Sequence, residues 1–115
     1  MNIIVSGTRT FDDYPLLSAW LDALRVFYGD VVIVSGAAPG ADRLAEKYAR
    51  CNELPVKLFP ADWDKHGKAA GPKRNRQMCE IADVLLAFWD GQSRGTANMI
   101  NLAEAKGIPV YTVMF

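Results

Sequence analysis

Three glycine-bearing loops, each at the end of an apolar run, contain the residue types that proteins use to hold phosphate. The loops span residues 7–10, 35–42 and 91–96. A helix that begins after such a loop presents backbone N–H groups without intrahelical partners and a partial positive charge, and glycine lets the main chain approach an anion closely. The three loops therefore predict one anion-binding site.

The predicted ligand-binding residues lie in these loops and in a basic segment between them. They are Gly7, Thr8, Arg9, Ser35, Gly36, Gly40, Asp42, Trp63, Arg74, Asn75, Arg76, Trp89, Gly91, Arg94, Gly95 and Thr96. No residue is predicted to be catalytic. No metal site is predicted either, because the chain has one histidine and two cysteines without metal-ligand spacing.

The loop at 35–42 departs from the known nucleotide-binding loops. Gly36 and Gly40 are four residues apart with no third glycine, and the lysine of a P-loop is missing. A phosphate site and a tight strand-to-helix turn are both compatible with this pattern. Asp42 falls in the first turn of the next helix, where a carboxylate competes with phosphate for the positive end of the helix dipole. We therefore expect Asp42 either to cap the helix or to face a sugar hydroxyl.

Residues 65–76 form a basic segment in a chain whose 13 basic and 13 acidic residues otherwise cancel. Pro72 is typical of a helix start, which places Arg74 and Arg76 in the first turns. Cations at the positive end of a helix are unfavourable by about 0.3–1 kcal/mol each unless an anion is close, so the segment predicts a bound anion. The alternative is a solvated basic loop.

Arginines and tryptophans in the loops complete the predicted site. Arg9 and Arg94 suit bidentate recognition of phosphate, and Thr96 is predicted to cap the last helix and to offer its hydroxyl to the ligand. Trp63 and Trp89 are candidates to stack on a flat base, with partial burial beneath a loop as the alternative.

Five β-branched runs, at 2–6, 31–35, 55–59, 83–88 and 109–114, alternate with amphipathic helical patterns. Strands that are apolar on both faces bury themselves as a parallel sheet covered on two sides. We predict an α/β fold, a single Rossmann-like three-layer domain over residues 1–115 with a mainly parallel five-stranded sheet in the order 3-2-1-4-5. The ligand crevice then lies between strands one and four, and the irregular segment 60–72 is expected to cover it as a partial lid.

Composition limits the partners and the location. A formal net charge of zero provides no global field that attracts nucleic acid or an anionic membrane. No apolar run approaches the roughly 20 residues of a bilayer-spanning helix, and Cys51 and Cys79 are predicted to be reduced, buried thiols. A cytoplasmic location is the expectation.

Four stretches of the chain resemble the YspA-like branch of the SLOG superfamily. They are VSGTR, VSGAAPGADRLAEKYA, PADWDKHGKAAGPKRNRQM and ADVLLAFWDGQSRGTANMI, which together cover nearly the whole chain. The resemblance implies a Rossmann-like fold and a pocket for a nucleotide or a nucleotide-derived ligand, including NAD-related signals. More distant members of the superfamily are the cytokinin-activating phosphoribohydrolases and DprA, which binds single strands.

The hydrolase branch of that superfamily is recognised by PGGxGTxxE and by an upstream arginine four residues before a methionine. Arg74 and Met78 match the second element, and Gly95 and Thr96 match the centre of the first, but Met99 stands in place of the glutamate. The resemblance therefore implies ligand binding without the carboxylate that serves cleavage of the N-glycosidic bond.

The leading hypothesis is a cytoplasmic protein that binds a phosphorylated nucleoside such as ADP-ribose or an NAD derivative, without a required cofactor. It would sense or sequester this ligand, in signalling or in phage–host conflict. The first alternative is a nucleotide N-glycosidase or phosphoribohydrolase-like enzyme that uses Asp42, Asp62 or Asp90. The second is binding of single-stranded nucleic acid through residues 65–76, which the neutral net charge disfavours. Family analogy also implies a homodimer or larger homo-oligomer, paired through the last two helices.

Overall fold

Strands and helices alternate along the chain, which the computed structural model describes from residue 1 to residue 115. The strands are β1 (Asn2–Gly7), β2 (Val32–Ser35), β3 (Val56–Leu58), β4 (Val84–Trp89) and β5 (Val110–Met114). The helices are α1 (Tyr14–Tyr28), α2 (Ala41–Cys51), α3 (Trp63–His66), α4 (Ala70–Ile81) and α5 (Arg94–Lys106), with a 3-10 turn at Gly67–Ala69. None of the helices combines the length and the apolar character that crossing a bilayer requires.

The five strands form one parallel sheet in the order β3-β2-β1-β4-β5, which confirms the predicted α/β fold and strand order. Ile3 of β1 pairs with Ile33 of β2 on one side and with Val84 of β4 on the other. The chain builds outward from β1 in both directions, so the loops that follow β1 and β4 lead to opposite faces of the sheet. A crevice opens between them at the carboxyl edge.

Alternate residues of β1 contribute to two separate cores. Ile3 and Val5 pack with α1 and α2, where Leu17 and Leu21 are fully buried, whereas Ile4 packs with α4 and α5. Fully burying each such aliphatic side chain contributes about 1.5–3 kcal/mol. Burial on both faces explains why the strands have continuous apolar sequences.

The segment that was expected to form an irregular lid is helical. Asp62 caps α3 by accepting the Lys65 N–H at 3.1 Å, and Gly67, at φ +55°, lets the chain turn between α3 and the 3-10 turn. The prediction of a long loop at 60–72 is therefore wrong. Pro72 lies in the first turn of α4, where its missing N–H costs nothing, as the sequence predicts.

Two predictions about individual residues are corrected by their surroundings. Ser93 rather than Thr96 caps α5: the Ser93 hydroxyl accepts the Thr96 N–H at 3.5 Å, and Thr96 is buried in the first turn. Cys51 is exposed because it is the last residue of α2, whereas Cys79 is buried as predicted.

Candidate functional site

A cavity of about 620 Å³ opens at the crevice between the loops that follow β1 and β4. Its volume is within the range of about 300–1,000 Å³ that is usual for small-molecule sites. Most of the predicted ligand-binding residues line it, namely Gly7, Thr8, Arg9, Asp42, Trp63, Arg74, Asn75, Arg94, Gly95 and Thr96. The fold thus brings distant segments of the chain to one place.

The remaining predicted residues are not part of this lining: Ser35, Gly36, Gly40, Arg76, Trp89 and Gly91. Arg76 is exposed on α4. The Trp89 indole N–H donates to the Ser93 carbonyl at 3.0 Å while the ring packs against the core, so this ring does not offer a stacking face to the cavity. Gly91 has φ +84°, a conformation that favours glycine, and forms the turn before α5.

In the second glycine loop (35–42), side chains of the loop itself accept the hydrogen bonds of its backbone N–H groups. Oδ2 of Asp42 accepts the N–H groups of Gly36 at 3.0 Å and of Ala38 at 3.4 Å. The hydroxyl of Ser35 accepts the N–H of Ala37 at 3.1 Å. These successive N–H groups are not free to cradle phosphate, because an internal carboxylate and a hydroxyl already occupy them. This corrects the phosphate-binding interpretation of the loop.

The backbones of the first and second glycine loops pack closely against each other at Gly40. It has φ +86°, and a Cβ there would lie 2.6 Å from the Thr8 carbonyl oxygen and 2.8 Å from that of Arg9. Gly40 is also the N-cap of α2, which has no side-chain cap, so Asp42 does not cap this helix. Gly40 therefore acts through close backbone packing and not through ligand contact.

The Asp42 carboxyl lies in the cavity wall with 4% of the residue exposed. Burial raises its pKa from 3.8 to about 6, while hydrogen bonds from Ala38 and Gly36 and the charge of Arg74 act in the opposite direction. Carboxyls whose pKa is raised by burial in a cleft are common at functional sites. Asp42 is thus both the internal partner of the loop and a candidate ligand contact.

Arg74 ties α4 to the second glycine loop. Its Nη1 donates to the Gly36 carbonyl, and its Nε donates to Oδ1 of Asn75 at 3.0 Å. A Cβ on Gly36 would collide with the guanidinium, so a larger residue at this position would displace the Arg74 side chain. Burial lowers the pKa of Arg74; the charge of Asp42 opposes this effect and that of Arg9 adds to it. The three charged groups therefore influence one another within the cavity.

Asn75 links α4 to the start of α5 and is buried. Its Nδ2 donates to the Gly95 carbonyl at 3.2 Å and to Oδ1 of Asn98 at 2.9 Å, and its own oxygen accepts from Arg74. Both hydrogens of the amide nitrogen are used in this way. Asn75 therefore positions its neighbours and has no donor left for a ligand.

The first turn of α5 faces the cavity with unpaired donors. Asp90 accepts the N–H groups of Ser93 at 2.9 Å and of Gln92 at 2.8 Å, which lowers the pKa of Asp90 and holds the preceding turn. The next two N–H groups, of Arg94 and Gly95, have no acceptor in the protein. A Cβ on Gly95 would meet no atom within 4 Å. Free donors, open space and the helix dipole together favour an anion here.

Some residues of the cavity wall lie outside the predicted set, including Lys68, Gly71, Gln92, Ser93 and Asn98. Asn98 is one helical turn after Arg94, so the predicted last helix places both residues on the same face and could have identified Asn98. No sequence pattern indicates Gly71. It belongs to the site because the ring of Trp63 packs against it, 3.2 Å from the position that a Cβ would occupy.

The position that carries glutamate in the hydrolase branch points into the core. Met99 is fully buried and packs with Ile4 and Met78. The structure also contains no group of three or more His, Cys, Asp or Glu residues arranged to hold a metal ion.

Sequence comparison connects this site to a known family. The YAcAr model, which describes the YspA, cpYpsA-related SLOG family, matches residues 1–66. Gene 61 protein of Mycobacterium phage D29 is 40% identical over an alignment of 117 residues that covers 94% of this chain and 92% of the phage protein. The chain belongs to the YspA, cpYpsA-related SLOG family. Membership of this SLOG family indicates a nucleotide-related ligand.

Solved structures confirm the Rossmann-like fold of this SLOG chain. DprA from Streptococcus pneumoniae matches with a TM-score of 0.80 and 18% identity over 96% of this chain and 49% of DprA, so the chain spans about half the length of DprA. The C-terminal domain of the PF1911 hydrogenase from Pyrococcus furiosus matches with a TM-score of 0.52 and 17% identity, over 96% and 89% of the two chains. At such identities the likeness shows the fold alone.

Proposed function

We propose that this SLOG protein binds a phosphorylated nucleoside of the ADP-ribose or NAD-derived class in the cavity of about 620 Å³, and that it senses or sequesters that ligand. The observation that carries the proposal is the open start of α5. There, the unpaired N–H groups of Arg94 and Gly95 face a cavity that Trp63 also lines. Backbone donors serve the phosphate and an aromatic ring serves the base.

The phosphate group is proposed to lie against the first turn of α5. The hydroxyls of Ser93 and Thr96, 3.2 Å apart, lie beside the free N–H groups, and Gly95 leaves space for an approaching oxygen. The side chains of Arg94 and Lys68 line the same cavity and add positive charge. A helix N-terminus with nearby cations is a common arrangement for binding phosphate.

The base is proposed to occupy an adjoining hollow of about 300 Å³. Arg9, Trp63 and Arg74 line both the cavity and the hollow, and Pro39 and Pro60 line the hollow alone. Aromatic and proline side chains provide flat apolar surfaces on which a base can stack. Two adjoining compartments that share Arg9 and Arg74 in their walls suit a ligand whose two bulky ends are joined by phosphates.

The proposed role is sensing or sequestration, with no additional cofactor, in the cytoplasm. A close relative is a phage protein, which supports a role in phage–host conflict as one setting for such a protein. Binding of nucleic acid is not part of the proposal, because the formal net charge is zero and the likeness to DprA concerns the fold.

Thermal-shift titration with AMP, ADP, ADP-ribose and NAD tests the proposal. A ligand at about 100 times its Kd stabilises a folded protein by about 2.7 kcal/mol, which a melting curve detects readily. Arg94→Ala should weaken the binding of the best ligand by about tenfold or more, because it removes a charge-assisted contact to phosphate.

Arg76→Ala is the matched control, since Arg76 is an exposed arginine on α4 outside the cavity. It should leave the affinity unchanged. The proposal fails if none of the phosphorylated nucleosides stabilises the protein, or if Arg94→Ala and Arg76→Ala have the same effect.

A second candidate function is hydrolysis of the bound nucleotide with Asp42 as general acid or base. The observation in its favour is that Asp42 is buried, lines the cavity and has a pKa raised to about 6. A general acid or base is most effective when its pKa lies near the working pH, so this value suits catalysis near neutral pH. Asp90 also lines the cavity, whereas Asp62 caps α3 and does not. Incubation with NAD, ADP-ribose and AMP, followed by chromatography for released base or phosphate, tests this candidate. Unchanged substrates would exclude it.

A further inference from the structure

One oxygen of the Asp42 carboxylate is free within the cavity wall. Both hydrogen bonds from the loop, those of Gly36 and Ala38, go to Oδ2, and no protein group donates to Oδ1. The only buried side-chain nitrogen or oxygen atom without a hydrogen-bond partner is Oγ of Ser18. Oδ1 of Asp42 therefore keeps contact with the cavity, as an open acceptor on a residue that is 4% exposed.

An open donor lies in the same cavity wall. Arg74 uses Nε for Asn75 and Nη1 for the carbonyls of Gly36 and Phe59, while its Nη2 has no acceptor in the protein. Arg74 and Asp42 influence each other electrostatically but form no direct ion pair. The cavity thus presents an unpaired carboxylate oxygen and an unpaired guanidinium nitrogen that do not satisfy each other.

These two open groups have opposite hydrogen-bonding roles: Oδ1 of Asp42 accepts a hydrogen bond, and Nη2 of Arg74 donates one. A phosphate oxygen can accept from Arg74 but is repelled by Asp42, and an exocyclic amine can donate to Asp42 but offers nothing to Arg74. A sugar hydroxyl both donates and accepts, and a vicinal diol provides one hydroxyl for each group. Of the parts of a nucleotide, the ribose diol fits this pair best.

We propose that Asp42 and Arg74 form a subsite for the ribose hydroxyls, so that the protein selects ribonucleotides over deoxyribonucleotides. This inference rests on the proposed nucleotide-binding function and adds the class of nucleotide. It is consistent with the positions of the other parts: Arg74 lines both the cavity and the adjoining hollow, so a ribose held there lies between the phosphate site and the base site.

The test compares ADP with 2′-deoxy-ADP and 3′-deoxy-ADP by isothermal titration calorimetry on the unmodified protein. Each deoxy analogue leaves one of the two charged groups without its hydrogen-bond partner, so both analogues should bind about 10- to 100-fold more weakly than ADP. An affinity for 2′-deoxy-ADP equal to that for ADP would overturn the inference and leave the proposed function standing. Absence of binding by ADP, ADP-ribose and NAD would overturn both.

Asp42→Asn tests the residue itself. Asparagine retains an oxygen for the loop N–H groups but lacks the charged acceptor, so the preference for ADP over the weaker analogue should fall to about twofold or less. Circular dichroism and melting curves verify folding of the variant. Asp30→Asn removes an exposed carboxylate far from the cavity and should keep the wild-type preference. Retention of that preference in Asp42→Asn would contradict the assignment.

Discussion

The buried carboxyl of Asp42 makes the stability of the protein depend on pH. Its pKa of about 6 in the folded state, against 3.8 normally, means that the folded state binds the proton more tightly than the unfolded state. The stabilisation by this proton is fully present below about pH 4 and is lost as the pH rises through about 6. The difference between a pKa of 3.8 and one of about 6 corresponds to about 3 kcal/mol in the free energy of unfolding.

Urea unfolding of the wild type and of Asp42→Asn between about pH 4 and pH 7.5 measures this effect. Asparagine does not titrate, so the variant should gain up to about 3 kcal/mol relative to the wild type across this interval. Other groups titrate equally in both proteins and cancel in the difference. A difference that stays constant with pH would show that Asp42 titrates normally.

Removal of the hydroxyl should affect the stability of the protein differently at two serines. Oγ of Ser18 on α1 is buried without a hydrogen-bond partner, so Ser18→Ala should leave stability unchanged or raise it by about 1 kcal/mol. Oγ of Ser35 donates to Glu46 at 2.8 Å and accepts from Ala37, so Ser35→Ala should cost about 1–3 kcal/mol. Chemical denaturation measures both, and a larger loss for Ser18→Ala would contradict the expected order.

Gly95 in the first turn of α5 allows helix stability and ligand binding to be separated. Gly95→Ala should stabilise the helix by about 0.5–1 kcal/mol, because alanine loses less backbone entropy and its Cβ meets no atom of the protein. The same methyl group would occupy the space proposed for phosphate, so nucleotide affinity should fall. Melting curves and calorimetry measure the two effects.

Gly91→Ala is the contrasting variant, because Gly91 has φ +84° and lies outside the cavity wall. It should destabilise the protein through backbone strain. If Gly95→Ala lowered stability and left affinity unchanged, the assignment of the helix start as the phosphate site would be wrong.

Elements with strong periodicity could be predicted from the sequence, and short ones could not. The strands are apolar because helices cover both faces of the sheet, so runs such as 83–88 identified β4 (Val84–Trp89) to within a residue. α3 has only four residues and therefore no helical period to detect. Ser93 and Thr96 are both good capping residues one turn apart, and only the backbone conformation distinguishes them.

Association of copies is a prediction for the whole molecule. Family analogy predicts pairing through α4 and α5, which pack against each other on one face of the sheet. Sedimentation velocity should detect a dimer or a larger assembly. Glu80→Arg, on the exposed side of α4, should weaken it, whereas Phe27→Asp on α1, at the opposite face, should not. A monomer at all concentrations would exclude this prediction.

The location of the site could be predicted at the scale of the whole fold, because the strand order alone determines where the crevice opens. The roles of individual residues could not. Asp42 and Arg74 are both candidates from the sequence, but the hydrogen bond from Arg74 to the Gly36 carbonyl joins residues that are 38 positions apart in the sequence. Such pairings depend on tertiary packing, which no local pattern contains.

The closed second loop and the open start of α5 should also differ in how fast their amide hydrogens exchange with deuterated solvent. The N–H groups of Gly36 and Ala38 are held by Asp42, so they should exchange slowly with or without a nucleotide. Those of Arg94 and Gly95 have no acceptor and should exchange fast until a nucleotide protects them. One wall of the cavity is thus preorganised, and binding has little conformational entropy to remove there.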